Sequence, residues 1–211
     1  AVTGVQTCAL PISTPMVVYL VNLSDLKIAR QLKEEIRKVY SIGNHSVHIN
    51  DTPEETLRLA RCLFNENSIH FLNNAELKNY TNFLNQLDYF KNKINENNLD
   101  IEDYCITASS VLSIYGLREG NDIDYIHHDN IKIEGNSMVS SHNTYGENLY
   151  PYKYDEIIYN PQHHFYAGGI KFTSLDIVKK LKEKRGEEKD VIDIKLIDNF
   201  LKKIGWYIIC Y

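Results

Sequence analysis

No apolar run in this 211-residue chain approaches the roughly 18–20 residues needed to span a bilayer, so no membrane-crossing helix is expected. Cysteine is sparse. Cys8, Cys62, Cys105 and Cys210 lack metal-ligand spacing, which argues against a zinc site or a disulfide framework and for reduced, mostly buried thiols in a cytoplasmic protein. Basic excess is missing too. A net charge of -5 is unsuited to gripping a phosphate backbone, so general nucleic-acid binding is not expected. What is present, 43% hydrophobic and 24% charged residues, is the composition of an ordinary globular chain long enough for one large or two small domains.

Residues 1–13 resemble translated sequencing-adapter read-through and have no basic n-region, so 1–15 are set apart as an artefactual or disordered leader. Strand and helix patterns then alternate. Met16–Asn22 is a β-branched apolar run typical of a buried strand. Ser24-Asp25 caps a helix with Leu26, Ala29, Leu32, Ile36 and Val39 at helical spacing, which Gly43 ends. Ser46–Asn50 reads as a second strand. Asp51-Thr52-Pro53-Glu54-Glu55 starts a helix, with Pro and acids in its first turn. Ser68–Leu72 reads as a third strand, and Ala75 to about Asn97 as a long helix. The expectation is an α/β protein, α+β overall, with a small three-stranded, largely parallel unit over 16–97 and a second domain over 98–211.

Within the first unit, His45 and His48 stand three apart in an expected strand, face opposite sides and make poor co-ligands. Asn50, Asp51 and Thr52 lie where a strand hands over to a helix, a place that binds ligands and anions in open α/β sheets, with helix capping by Asp51 or Thr52 as the plainer reading. Ser140–Tyr166 is rich in Tyr and His. Packing on a core accounts for most of these rings, with stacking on a base or sugar as the functional reading.

The chemistry concentrates between Cys105 and Ile126. Asp122 and Asp124 are spaced i, i+2, so in a strand their carboxylates share a face and come close enough to share a divalent cation. Like charges side by side are costly unless something positive lies between them, and Mg²⁺ with a nucleoside triphosphate is the usual solution in phosphoryl transfer. An Asp-x-Asp alone also occurs in turns, where each carboxylate bonds its own backbone.

Ser109-Ser110, a short helix ending at Gly116, and then Asp122-Ile123-Asp124 resemble the signature of the nucleotidyltransferase superfamily with the DNA polymerase beta-like fold. There a Gly-Ser pair precedes Asp-x-Asp by about ten residues; here Ser109 stands in the Gly position. Downstream, Lys179, Lys182, Lys184-Arg185 and Lys189-Asp190 with Asp193 resemble the basic helix pair of stand-alone and abortive-infection toxin nucleotidyltransferases. Interleaved Glu183, Glu187 and Glu188 also fit a solvated helix face. The resemblance covers roughly residues 98–204.

It implies a mixed sheet with flanking helices, Mg²⁺ on Asp122 and Asp124, and Ser109, Ser110, Lys182 and Arg185 on the nucleotide. The family's third carboxylate belongs on the next strand, where Asn130–Glu134 makes Glu134 a candidate; beyond it, Ser140-Ser141-His142-Asn143 offers the His142 imidazole as an alternative. The implied reaction moves a nucleotidyl group from an NTP to a small acceptor, with a sugar or sugar phosphate favoured by likeness to proteins of polysaccharide gene clusters. The alternative is a non-catalytic nucleotide-binding or toxin-type member acting on tRNA or a protein.

Overall fold

The structure, a computed structural model, describes residues 2–8 through their backbone, and 17–23, 25–41, 43, 46–50, 52–128, 133 and 137–205. The chain divides into two compact units, one ending at Phe64 and one beginning at Asn65.

In the first unit, β1 (Val2–Cys8) and β2 (Val17–Leu23) pair antiparallel from Val2↔Leu23 to Cys8↔Val17. The short β3 (His48–Ile49) pairs antiparallel with β1, giving the order β2-β1-β3. This corrects the expectation of largely parallel strands: the sheet is antiparallel, and its central strand comes from the segment set apart as a leader. Helix α1 (Leu26–Tyr40) is capped by Asp25, whose Oδ1 accepts from Lys27 N at 2.8 Å. Helix α2 (Pro53–Leu63) is capped by Thr52, whose Oγ1 accepts from Glu55 N at 3.1 Å, with Glu54 and Glu55 favourably placed in the first turn. His48 is exposed, with Nε2 3.5 Å from Glu55. His45 and Asp51 lie outside the described residues.

The second unit begins with a further correction. Ser68–Leu72 is not a strand but the middle of α3 (Glu66–Asn74): Asn65 Oδ1 accepts from Ser68 N at 2.8 Å, and Ser68, His70 and Phe71 turn to the buried side. Helix α4 (Thr81–Glu96) starts later than Ala75, because residues 75–80 are not helical. Its buried stripe, Phe83, Leu87, Phe90 and Ile94, packs with Tyr104, Ile106, Ile123 and Tyr125, so this helix belongs to the second unit's core. The division therefore falls at 64/65 rather than at 97/98.

A five-stranded mixed sheet with flanking helices organises this unit, making the fold mixed α/β overall. Its strands are β4 (Tyr104–Thr107), β5 (Ile123–His127), β6 (Val139–Ser141), β7 (His164–Ala167) and β8 (Ile170–Thr173), in the order β6-β5-β4-β8-β7. Pairs β4–β5 and β7–β8 are antiparallel, whereas β4–β8 and β5–β6 are parallel. The two-residue alternation of buried strands sorts side chains by face: Tyr104 and Ile106 pack toward α4. Cys105 and Ile126 pack with Ile157 of α6 (Tyr154–Tyr159) and with Ile177 and Leu181 of α7 (Leu175–Arg185). Helix α8 (Glu188–Lys203) follows α7 after a turn at Gly186, with Glu187 and Asp190 forming a capping box. The expected strand over 130–134 falls mostly outside the described residues; Ile133 is buried and outside any strand. Among the described residues no helix is long and apolar enough to cross a membrane.

One glycine is dictated by the packing. Gly116 has φ +75°, and a Cβ there would lie 1.8 Å from the carbonyl oxygen of Glu76, while Glu76 N donates to Tyr115 O at 3.2 Å. Two backbones pass too closely for any side chain between them.

Candidate functional site

The turn from β4 into α5 (Ser109–Ile114) opens a cleft of about 380 Å³. It is lined by Ala108, Ser109, Arg118, Asn121, Asp122, Asp124, Lys182, Arg185, Lys189, Ile192 and Asp193. Ala108 holds φ 54° and ψ -131°, a backbone strain that costs a non-glycine residue on the order of 1–3 kcal/mol.

Asp122 just precedes β5 and Asp124 lies within it. Both are half-buried, whereas the intervening Ile123 and the following Tyr125 are fully buried on the opposite face. The expected shared face is the one observed. Burial first, and then the neighbouring charge of Asp122, push the Asp124 carboxyl up to about 6; the Ser140 hydrogen bond and the Arg185 and Lys182 charges pull the other way.

Ser110 is not at the cleft surface. It is fully buried, its hydroxyl donates to Asp122 O at 3.1 Å, and its oxygen accepts from Asp124 N at 3.4 Å. It therefore clamps the acidic pair to α5 instead of meeting a phosphate. Ser109 does line the cleft.

Lys182 and Arg185 also differ from expectation. Lys182 is 1% exposed, with Nζ 3.2 Å from Asp190 Oδ1 and 2.7 Å from Asp193 Oδ2. Arg185 grips Asp190 with two nitrogens at 2.9 and 2.6 Å, and Arg118 grips Asp193 the same way at 2.5 and 2.7 Å. The result is a continuous chain, Arg118–Asp193–Lys182–Asp190–Arg185, tying the loop before the acidic pair to α7 and α8. Burial alone would raise both carboxyls, but Arg185 and Lys182 hold Asp190 down at about 2, and Arg118 and Lys182 hold Asp193 below the usual range. Glu187 also lies 3.6 Å from Arg185, so three cations meet three carboxylates here. Lys189 is different: its side chain is 68% exposed at the cleft and meets Glu187 at 3.0 Å.

The third-carboxylate candidates do not complete the site. Glu134 lies outside the described residues. His142 is buried away from the cleft lining, its Nδ1 2.6 Å from Tyr150 Oη, which in turn donates to Thr107 Oγ1 at 3.4 Å. Burial, reinforced by the positive charges of Arg185, Lys182 and Lys189, brings its imidazole down to about 4. Directly across from Asp124 in the β5–β6 register stands Ser140, whose hydroxyl donates to Asp124 Oδ1 at 3.2 Å. Among the described residues, no three His, Cys, Asp or Glu side chains converge to hold a metal ion.

Set against known protein families, curated proteins and solved structures, this chain matches none. The site must be judged on its own geometry.

Sequence reasoning missed Arg118 and Ser140 as parts of this site. Arg118 carried a signal, a lone basic residue four positions before Asp122 in the loop that delivers it. Ser140 carried none, because its place opposite Asp124 depends on strand register. The aromatic segment 140–166 contributes no ring to the cleft lining. Tyr150 and Tyr154 belong to the cluster around Cys105 and Ile126, which accords with core packing.

Proposed function

We propose that the protein is a Mg²⁺-dependent nucleotidyltransferase that moves a nucleotidyl group from an NTP to a small acceptor, with a sugar or sugar phosphate as the favoured class. The observation that carries this reading is the meeting of Asp122 and Asp124 on one face of a cleft with Arg185, Lys189 and the Arg118 loop around it. Two hard carboxylates suit Mg²⁺, which commonly takes one or two protein oxygens and completes its shell with water and substrate phosphates. Bound there, Mg²⁺ would neutralise the triphosphate and polarise the phosphoryl group under attack.

The chain's own residues supply the frame. Ser110 fixes the backbone of both acids, and Ser140 orients one oxygen of Asp124. Arg118 ties the preceding loop to α8, so the pair is held before any ligand arrives. Lys189, exposed at the cleft, offsets phosphate charge. The acceptor oxygen, of a hydroxyl or a phosphate, bonds to the α-phosphorus as the bond to the bridging oxygen breaks; pyrophosphate leaves with that electron pair, and a hydroxyl's proton passes to solvent.

A second reading has its own support. The partner of Asp124 on β6 is the hydroxyl of Ser140 and not a carboxylate, which favours a protein that binds nucleotide without turning it over. A toxin-type member acting on tRNA or a protein belongs to this second class, and the net charge of -5 weighs against tRNA.

The test is Mg²⁺-dependent pyrophosphate release from an NTP offered with sugars and sugar phosphates. Asp122→Asn and Asp124→Asn should each lower it by about 100-fold or more with no loss of stability in urea unfolding. Tight NTP binding with no release for any acceptor selects the second reading, and absence of NTP binding rejects both.

A further inference from the structure

Within the cleft, charge is distributed unevenly and apolar surface is confined to one place. Arg118, Lys182 and Arg185 are engaged by Asp190 and Asp193, so their hydrogen-bonding capacity is directed into the protein. Among the described lining residues, Ile192 is the one apolar side chain larger than alanine, and no aromatic ring is present. Ile192 is 61% exposed. A lone exposed isoleucine on a helix is ordinary. An isoleucine inside a charged cleft, one turn from its most exposed cation, is a different matter.

The geometry of α8 explains the juxtaposition. Asp190 and Asp193, spaced i, i+3, turn inward to Lys182, Arg185 and Arg118. Lys189 and Ile192 repeat that spacing one residue earlier and line the cleft, with their Cβ atoms about 5–6 Å apart as for any such helical pair. One helix thus presents a cation and then an apolar branch along one wall. That order matches a ligand with a polyanionic end and a flat, weakly polar end.

Resting on the nucleotidyltransferase reading, we infer that Ile192 is the contact for the nucleoside half of the substrate, base and sugar together, while Lys189 meets its phosphates. Ile192 covers apolar nucleoside surface that Lys189 and the acidic pair leave in water. Because it lies exposed on the helix surface, its removal spares the fold.

Calorimetric titration of the full chain with Mg-ATP, Mg-GTP and Mg-tripolyphosphate tests this. Ile192→Ala should weaken both nucleotides roughly fivefold, the change given by uncovering about 40 Å² of apolar surface, and leave tripolyphosphate unchanged. Lys189→Gln should weaken all three. Urea unfolding of Ile192→Ala should match the parent. Nucleotide binding by Ile192→Ala equal to that of the parent overturns the inference, as does an equal loss for nucleotides and tripolyphosphate. If the parent binds tripolyphosphate but no nucleotide, the nucleotidyltransferase reading itself fails.

Discussion

The segment up to Phe64 and the segment from Asn65 both combine strands with amphipathic helices, but they bury very different amounts of what they carry. Among the described residues of the first, the buried apolar cluster is Ala29, Val47 and Ile49, while Val17, Tyr19, Leu20, Ile28 and Val39 remain exposed. The second covers both faces of its sheet and encloses Tyr104, Tyr115, Tyr125, Phe90, Phe165 and Phe172 almost completely. A periodic apolar stripe is a request for a partner, and among the described residues the second unit answers it more fully, with Leu72, Leu77 and Ile192 among those still exposed. Its surplus of buried contacts also accommodates groups that are costly to bury, namely Lys182, Asp190 and Asp193 at its site.

The sharpest way to break this comparison is at Asp190. Replacing it with Ala leaves Arg185 with only the longer contact to Glu187 and Lys182 with Asp193 alone, and should remove about 3–5 kcal/mol from the second unit in urea unfolding. A loss below about 1 kcal/mol would mean that the buried chain of charges is replaceable and that apolar packing alone secures the unit.

Acid should come next in effect. Burial holds His142 and His164 down to about 4, against about 6.5 in an unfolded chain. Below 6.5 the unfolded state takes up these protons first, so the stability they contribute is complete above about 6.5 and lost as pH falls toward 4. Each histidine accounts for at most about 3 kcal/mol. Asp124, raised to about 6, acts with the opposite sign: its penalty grows as pH rises from about 4 to about 6. Urea midpoints between pH 4 and 7.5 should therefore fall on acidification, less steeply after His164→Gln and more steeply after Asp124→Asn.

The smallest effect belongs to the first unit. Thr52→Ala removes the N-cap of α2 and should cost about 1 kcal/mol, seen as faster hydrogen exchange in the first turn of that helix. Exchange within β4 and β5 should stay as in the parent. If it quickens there too, the two units unfold together and the contrast between them is one of packing alone.

Local features were legible in the sequence where one interaction decided them. Thr52-Pro53-Glu54 announced α2, and the i, i+2 spacing of Asp122 and Asp124 brought both to the cleft although Asp122 stands just before β5, outside the pleat. Ser68–Leu72 misled because a short apolar run suits strand and helix alike, and the deciding group was the Asn65 cap three residues ahead of Ser68. Lys182 and Arg185 showed their positive charge in the sequence but not its destination. Only the packing of α7 against α8 turns them toward Asp190 and Asp193. Ser140 and the antiparallel pairing in the first unit depend on which strand lies beside which, information that no single segment carries.

The bond between Arg118 and Asp193 joins residues 75 positions apart. At about 5–20 residues per second, a ribosome adds Asp193 several seconds after Arg118 and the acidic pair have been made. Until then the loop lacks its anchor, Lys182 has Asp190 at most, and the wall carrying Lys189 and Ile192 is not tied to the loop. The cleft is completed late in the synthesis of this unit, so a nascent or prematurely terminated chain displays Asp-x-Asp without the basic wall that faces it.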